Sequence, residues 1–399
     1  MFWHFRLRNS LLLSALFGTV VMMAVLLGGE PAQPVTGQGA TSNVLVSPLP
    51  SLTGFAPPIS VSADAAVLME ARTGAILFGK NEHVRRPPAS TTKILTAIVA
   101  LEHGDLNAVV EIPREATRVG GSQIWLEAGE KLTLRDLLYG LLLKSGNDAA
   151  VAIAYHISGG VEAFCRLMNQ RAQELGAMNT VFSNPHGLPE KTRPHYSSAY
   201  DLALMARRGL QIPVFQEMVR TKYEQIPWGE HNWSRSLANT NRLLWYFGGA
   251  DGVKTGTTSA AGNCLVASAT RDGFQLIAVV LHSDNRWQDA AKLLEYGFTH
   301  FRPRLVYPAG AVVSQVEVRG GAKKEVGLVL RSDLAVVVPE KMWDQIQVRI
   351  CAPEYLVAPF WSGEEVGTVE VLLGDSVLAA GVLTTQEPVG RRRFWTPWR

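Results

Sequence analysis

Cysteine is scarce: the 399 residues contain three, Cys165, Cys264 and Cys351. They stand far apart in apolar contexts and form no Cys-x-x-Cys pair. That argues against a thiolate metal site or a redox pair and predicts three buried free thiols. Excess charge is equally scarce. Lysine and arginine total 38 against 35 aspartates and glutamates, a formal net charge of +3. Four arginines fall in the last nine residues, which accounts for that excess, so the body of the chain carries no basic footprint for nucleic acid. What is plentiful is apolar. With 47% hydrophobic and 18% charged residues, the chain has the composition of a globular protein with a sizeable core, and its length allows two or three domains.

The ends read differently from the middle. Arg6 and Arg8 precede an uncharged apolar run from Leu11 to Leu27, the pattern of an export segment. No Ala-x-Ala cleavage site follows, so residues 1–29 are expected to be a signal peptide or an N-terminal anchor, placing the protein outside the cytoplasm. Residues 30–57, rich in Pro, Gly, Ser, Thr and Gln, read as a disordered spacer. Residues 386–399 mix Arg391, Arg392, Arg393 and Arg399 with Phe394, Trp395 and Trp398, a basic-aromatic tail suited to contact with an anionic membrane surface.

Between them, two short apolar runs flank Arg72-Thr73-Gly74, a hairpin signature. Residues 108–130 predict loops and short strands. Thr133 opens a helix with Leu134, Leu137, Leu138, Leu141 and Leu142 at helical spacing, and an alanine-rich helix runs on to about Ile157. Further helices are expected over Phe164 to Leu175, Ser198 to Arg208 and Gln288 to Phe298. Two strands joined by an Asp-Gly turn follow Cys264. From Leu305 to Leu383 only short alternating segments occur, which predicts a small all-β domain.

Three polar clusters interrupt this apolar framework. Pro87-Pro88-Ala89-Ser90-Thr91-Thr92-Lys93 opens a helix that is apolar nearly all round. Ser90 and Lys93, three residues apart, share one face, and a lysine held in apolar surroundings disfavours its charge and can serve a serine as general base. Ser145-Gly146-Asn147 lies on a tight link between two buried helices. Lys254-Thr255-Gly256-Thr257 falls on or beside a strand. Lys144-Ser145-Gly146 also fits a Lys-Ser/Thr-Gly pattern, but it ends a helix, and Lys254 is preferred. His186 and His195 sit in loops near these clusters and are read as local hydrogen-bonding groups, because Lys93 fills the base role.

Each cluster alone is common; in this order and these contexts they resemble the active-site-serine, penicillin-recognising enzymes. Asp251-Gly252-Val253-Lys254-Thr255-Gly256, His195-Tyr196-Ser197-Ser198-Ala199-Tyr200-Asp201 and Asn239-Thr240-Asn241-Arg242 are similar to stretches of the D-alanyl-D-alanine carboxypeptidases, the low-molecular-mass penicillin-binding proteins of the S11 peptidase family. The resemblance implies an α+β fold, an antiparallel sheet packed with helices as in the penicillin-binding proteins and β-lactamases, over residues 58–302, with a β-rich domain over 303–385. It implies Ser90 as nucleophile, Lys93 as base and Ser145 as proton carrier. Asn147, Lys254, Thr255, Gly256, Thr257 and Arg286 would bind substrate, with the backbone amides of Ser90 and Thr257 as oxyanion donors. The expected partners are peptidoglycan stem peptides ending in D-Ala-D-Ala and β-lactam antibiotics, with no metal, cofactor or nucleic acid. A serine β-lactamase is the nearest rival. It needs a carboxylate to activate the deacylating water, and none is evident after Asn147.

Overall fold

Strand β1 (Ala65–Glu70) is buried along its whole length, as its unbroken apolar start requires. The Glu70 carboxylate accepts the N–H groups of Arg72 and Thr73, closing the turn into β2 (Ile76–Lys80). The computed structural model describes residues 56–190, 192–229 and 231–392. The export segment, nearly all of the 30–57 spacer and the end of the basic tail lie outside these residues.

A 3-10 turn over Ala89–Thr92 leads into α1 (Lys93–His103), buried from Lys93 to Ala100. Strands β3 (Val109–Glu111) and β4 (Lys131–Thr133) pair and deliver Thr133 to the N-cap of α2 (Leu134–Leu143), where Thr133 and Asp136 form a capping box. After a three-residue link come α3 (Asn147–Ser158) and α4 (Val161–Glu174). Helix α5 (Ala199–Gly209) is capped by Ser198, and α6 (Pro213–Arg220) begins with proline. The hairpin β5 (Tyr223–Pro227) and β6 (Ser234–Ala238) precedes the single turn α7 (Leu243–Tyr246). Strands β7 (Ala250–Thr258), β8 (Gly262–Arg271) and β9 (Phe274–Ser283) and the long α8 (Arg286–His300) complete this part.

The sheet order is β2-β1-β9-β8-β7, antiparallel throughout. Alternation divides its side chains between two cores. Val67, Met69, Val266, Ile277 and Val279 pack with the helices that follow β2. Leu68, Leu265, Leu276 and Val280 face the other way, under Leu293 and Leu294 of α8.

That second core continues into the C-terminal strands β10 (Arg302–Tyr307), β11 (Val312–Arg319), β12 (Glu325–Leu330), β13 (Leu334–Val338), β14 (Ile346–Cys351), β15 (Tyr355–Val357), β16 (Glu365–Leu373) and β17 (Ser376–Thr385). Six of them form a sheet in the order β14-β16-β17-β12-β11-β15, while β10 pairs with β13. An Arg72–Asp333 ion pair of 2.7 Å ties the β1–β2 turn to this region.

Two sequence expectations are corrected. Cys165 and Cys264 are buried, but Cys351 is exposed, because β14 is an edge strand with little packed against it. Ser90 belongs to the 3-10 turn, and the α-helix proper starts at Lys93. Strands β10 and β15 and helix α6 are additions; the charges of Arg302-Pro303-Arg304 conceal β10 in the sequence.

Candidate active site

The expected residues converge where α1, the α2–α3 link and β7 meet. Ser90 is presented by the 3-10 turn. Ala89 before it takes φ +48°, a left-handed conformation that an alanine adopts only under constraint. The constraint is visible on two sides. A Cβ on Gly187 would lie 1.9 Å from the Ala89 carbonyl oxygen, and one on Gly256 would lie 3.0 Å from the Ser90 nitrogen. Only glycine lets those backbones lie so close to the serine turn.

Lys93 is fully buried, and its Nζ lies 3.0 Å from Ser90 Oγ, 2.7 Å from Asn147 Oδ1 and 2.7 Å from the His186 carbonyl oxygen. It makes no ion pair among the described residues. Burial, with the Lys254 charge second, holds its pKa well below the ordinary lysine value, against a smaller opposing pull from Asp148. Two of the three partners can only accept. A neutral amine has two N–H groups for those oxygens and one lone pair for the third direction, where Ser90 can donate its hydroxyl proton.

Ser145 bridges α2 and α3 at φ +65°; its Oγ is buried and has no hydrogen-bond partner among the described residues. Asn147 is held at both ends. Its Oδ1 accepts a hydrogen bond from Lys93 Nζ and its Nδ2 donates to the Gly120 carbonyl (2.6 Å), while its backbone N–H donates to Ser122 O. Asp148 accepts from the backbone N–H groups of Ile124, Leu126 and Ala149, fastening the same loop to α3.

On β7, Lys254 is buried with one hydrogen bond, to Thr255 O at 3.2 Å. Burial and then the Arg286 charge bring its pKa down to about 7. Thr255 Oγ1 lies 2.7 Å from Thr240 Oγ1. Arg286, the first residue of α8, donates to Gly256 O (2.8 Å) and Thr257 Oγ1 (2.7 Å). It is thus fastened to the strand that carries Lys254, Thr255 and Thr257 and is not a loose surface residue. Lys144, in the rival Lys-Ser-Gly reading, is exposed.

Several partners went unseen in the sequence: the carbonyls of His186 and Gly120, the Thr240 hydroxyl, and Gly187 against Ala89. Backbone acceptors carry no residue signature. The available hints were the Gly120-Gly121 pair and Asn184-Pro185-His186-Gly187. Burial above all pushes His186 down to about 3 and His195 down to about 4.

A serine under a buried, unpaired lysine, with a second lysine on the neighbouring strand, is the arrangement of the active-site-serine peptidases that recognise penicillin. Comparison with known proteins narrows this. The family description "D-alanyl-D-alanine carboxypeptidase" matches residues 52–285, and "Penicillin-binding protein 5, C-terminal domain" matches residues 301–391. The chain belongs to the S11 family of D-alanyl-D-alanine carboxypeptidases, serine peptidases of cell-wall metabolism. It is 36% identical over 343 residues to D-alanyl-D-alanine carboxypeptidase DacF of Bacillus subtilis, covering 84% of this chain and 87% of the relative. It is 34% identical to DacD of Escherichia coli, over 84% of this chain and 89% of the relative. Among solved structures, penicillin-binding protein 5 of Haemophilus influenzae superposes with a TM-score of 0.75 at 32% identity, over 84% of this chain and all of that one. The fold is therefore the α+β penicillin-binding-protein fold with a C-terminal all-β domain.

Proposed function

We propose that the protein removes the terminal D-alanine from peptidoglycan stem pentapeptides through an acyl-enzyme on Ser90, and that penicillin acylates the same residue. Neutral Lys93 takes the Ser90 proton as Oγ attacks the carbonyl between the two D-alanines. The tetrahedral oxyanion is met by the N–H groups of Ser90 and Thr257. Ser145, with its unspent hydroxyl, passes the proton to the leaving amine. Lys254, Thr255 and Arg286, the last acting through Thr257, supply the positive end of the cleft for the terminal carboxylate. Asn147 has one Nδ2 hydrogen left for the substrate amide. D-Alanine leaves, and water cleaves the Ser90 ester and restores the hydroxyl. The tail over residues 386–399 fits contact with the outer face of an anionic membrane, reached through the export segment.

The observation that carries this reading is the 3.0 Å contact between Ser90 Oγ and a fully buried Lys93 that has no ion-pair partner among the described residues. The Asp148 carboxylate is bound by backbone N–H groups and is not free to activate a deacylating water. In a penicillin adduct the leaving amine stays tethered and obstructs water, whereas D-alanine departs, so the adduct should outlast the natural acyl-enzyme where no positioned general base, worth roughly 10²–10⁴ in rate, drives hydrolysis. The test is peptide mapping by mass spectrometry after penicillin labelling, alongside D-alanine release from a diacetyl-Lys-D-Ala-D-Ala peptide. The adduct should sit on the Ser90 peptide and persist for minutes. Ser90→Ala should abolish both signals, and Lys93→Ala should slow acylation by about 10²–10⁴. Rapid penicillin turnover without D-alanine release would overturn the assignment.

A further inference from the structure

His195 lies outside the three motifs, yet its two ring nitrogens are committed in a definite sense. The backbone N–H of Ser183 points at Nδ1 from 3.2 Å. A backbone N–H can only donate, so Nδ1 is the acceptor and the ring proton is on Nε2. Nε2 lies 2.9 Å from Thr92 Oγ1 and therefore donates to it. The Thr92 hydroxyl in turn donates to the Ala89 carbonyl oxygen at 2.9 Å. The direction of every bond in the chain Ser183 N–H, His195, Thr92, Ala89 O is thus fixed.

The end of that chain matters because a peptide group is rigid. The Ala89 carbonyl and the Ser90 N–H are opposite ends of one plane. Holding the oxygen aims the N–H, and drawing on the oxygen polarises the N–H further. The Ser90 N–H has no acceptor among the described residues. The same plane is the one set at an unfavourable angle by Ala89, at φ +48°. Gly187 blocks it from one side, but steric contact does not choose an orientation as a hydrogen bond does.

We infer that His195 is a positioning residue for the oxyanion site: acting through Thr92, it orients the Ala89–Ser90 peptide so that the Ser90 N–H meets the developing oxyanion. This rests on the reading of Ser90 as the nucleophile. It predicts an effect in the transition state and almost none on ground-state binding, because the oxyanion does not exist before attack.

The test uses the full chain, diacetyl-Lys-D-Ala-D-Ala as substrate, and penicillin labelling. His195→Ala and Thr92→Val should each lower kcat about tenfold with KM within about twofold. The double variant should be no worse than the poorer single one, since both break one chain. His195→Gln, whose amide can still donate to Thr92, should recover most of the rate. Unchanged kcat, a loss confined to KM, additive losses or failure of the glutamine to rescue would each overturn the inference. Should His195→Ala not fold, Thr92→Val and His195→Gln decide it. Absence of a penicillin adduct on Ser90 in the unaltered protein would instead remove the reading beneath it.

Discussion

The two halves of the described chain treat charge in opposite ways. Between residues 56 and 300 the fold buries Lys93, Lys254, Asp148, Asp201, Asp289 and the Glu130–Arg235 pair. Between residues 303 and 392 the buried polar side chains are Thr384 and Thr385, and pairs such as Arg331–Glu365 and Arg349–Glu370 stand at or near the surface. Burying a charge opposes folding unless partners offset it. The β-rich half follows the ordinary rule. The helical half departs from it most at Lys93 and Lys254, which have no carboxylate ion-pair partner among the described residues and whose pKa values are lowered chiefly by burial. Among the described residues, the cost of burying unpaired charge falls on the helical side.

The widest gap between the halves should come from the buried ion pair. Arg235 donates to both Glu130 oxygens and to the carbonyls of Trp125 and Pro227, with its guanidinium 4.6 Å from the Trp228 ring centre. Arg235→Met leaves Glu130 charged and unpaired, and should lower stability in urea by about 3–5 kcal/mol. A loss no greater than that of a surface residue would erase the contrast.

Next is Lys254. Its folded pKa, about 7, lies below the ordinary value of 10.5, so the unfolded chain binds its proton more tightly. The penalty is complete below about pH 7 and fades as pH rises towards 10.5. Lys254→Met should therefore be inactive yet more stable than the parent, by on the order of a few kcal/mol at pH 6 and by much less at pH 10. Melting curves at several pH values check this; a gain independent of pH would contradict it.

The smallest effect should come from the β-rich half. Arg349 of β14 meets Glu370 of β16 in a pair at the surface, and Arg349→Ala should leave the melting midpoint within about a degree, less still in high salt.

Much of the site was legible because polar residues in an apolar setting stand out. Ser90, Lys93, Ser145, Asn147 and Lys254 all interrupt buried elements, and the three-residue spacing of Ser90 and Lys93 stood out once the other two clusters followed in order, although Ser90 lies in a 3-10 turn and not on the helix itself. The framing helices were legible from leucine periodicity and from the cap at Thr133. What could not be read was anything carried by the backbone. The His186 carbonyl on Lys93, the left-handed Ala89 and the chain through His195 depend on loops whose course is set by distant packing. The exposure of Cys351 was hidden for a similar reason: an apolar alternating segment does not announce whether its strand lies in the middle of a sheet or at its edge.

The pairing of β1 with β9 sets a timetable. Ala65 lies opposite Leu281, so an early strand to leave the ribosome waits for the last strand of its sheet. Ser90, Lys93 and Ser145 are all made before Lys254 exists, and Gly256 cannot close on the serine turn until β7 is in place. An unfinished chain therefore lacks the Lys254 side of the cleft, while one edge of β1 stays bare and ready to pair with the wrong partner. The complete cleft and safety from mispairing arrive together, when the sheet closes.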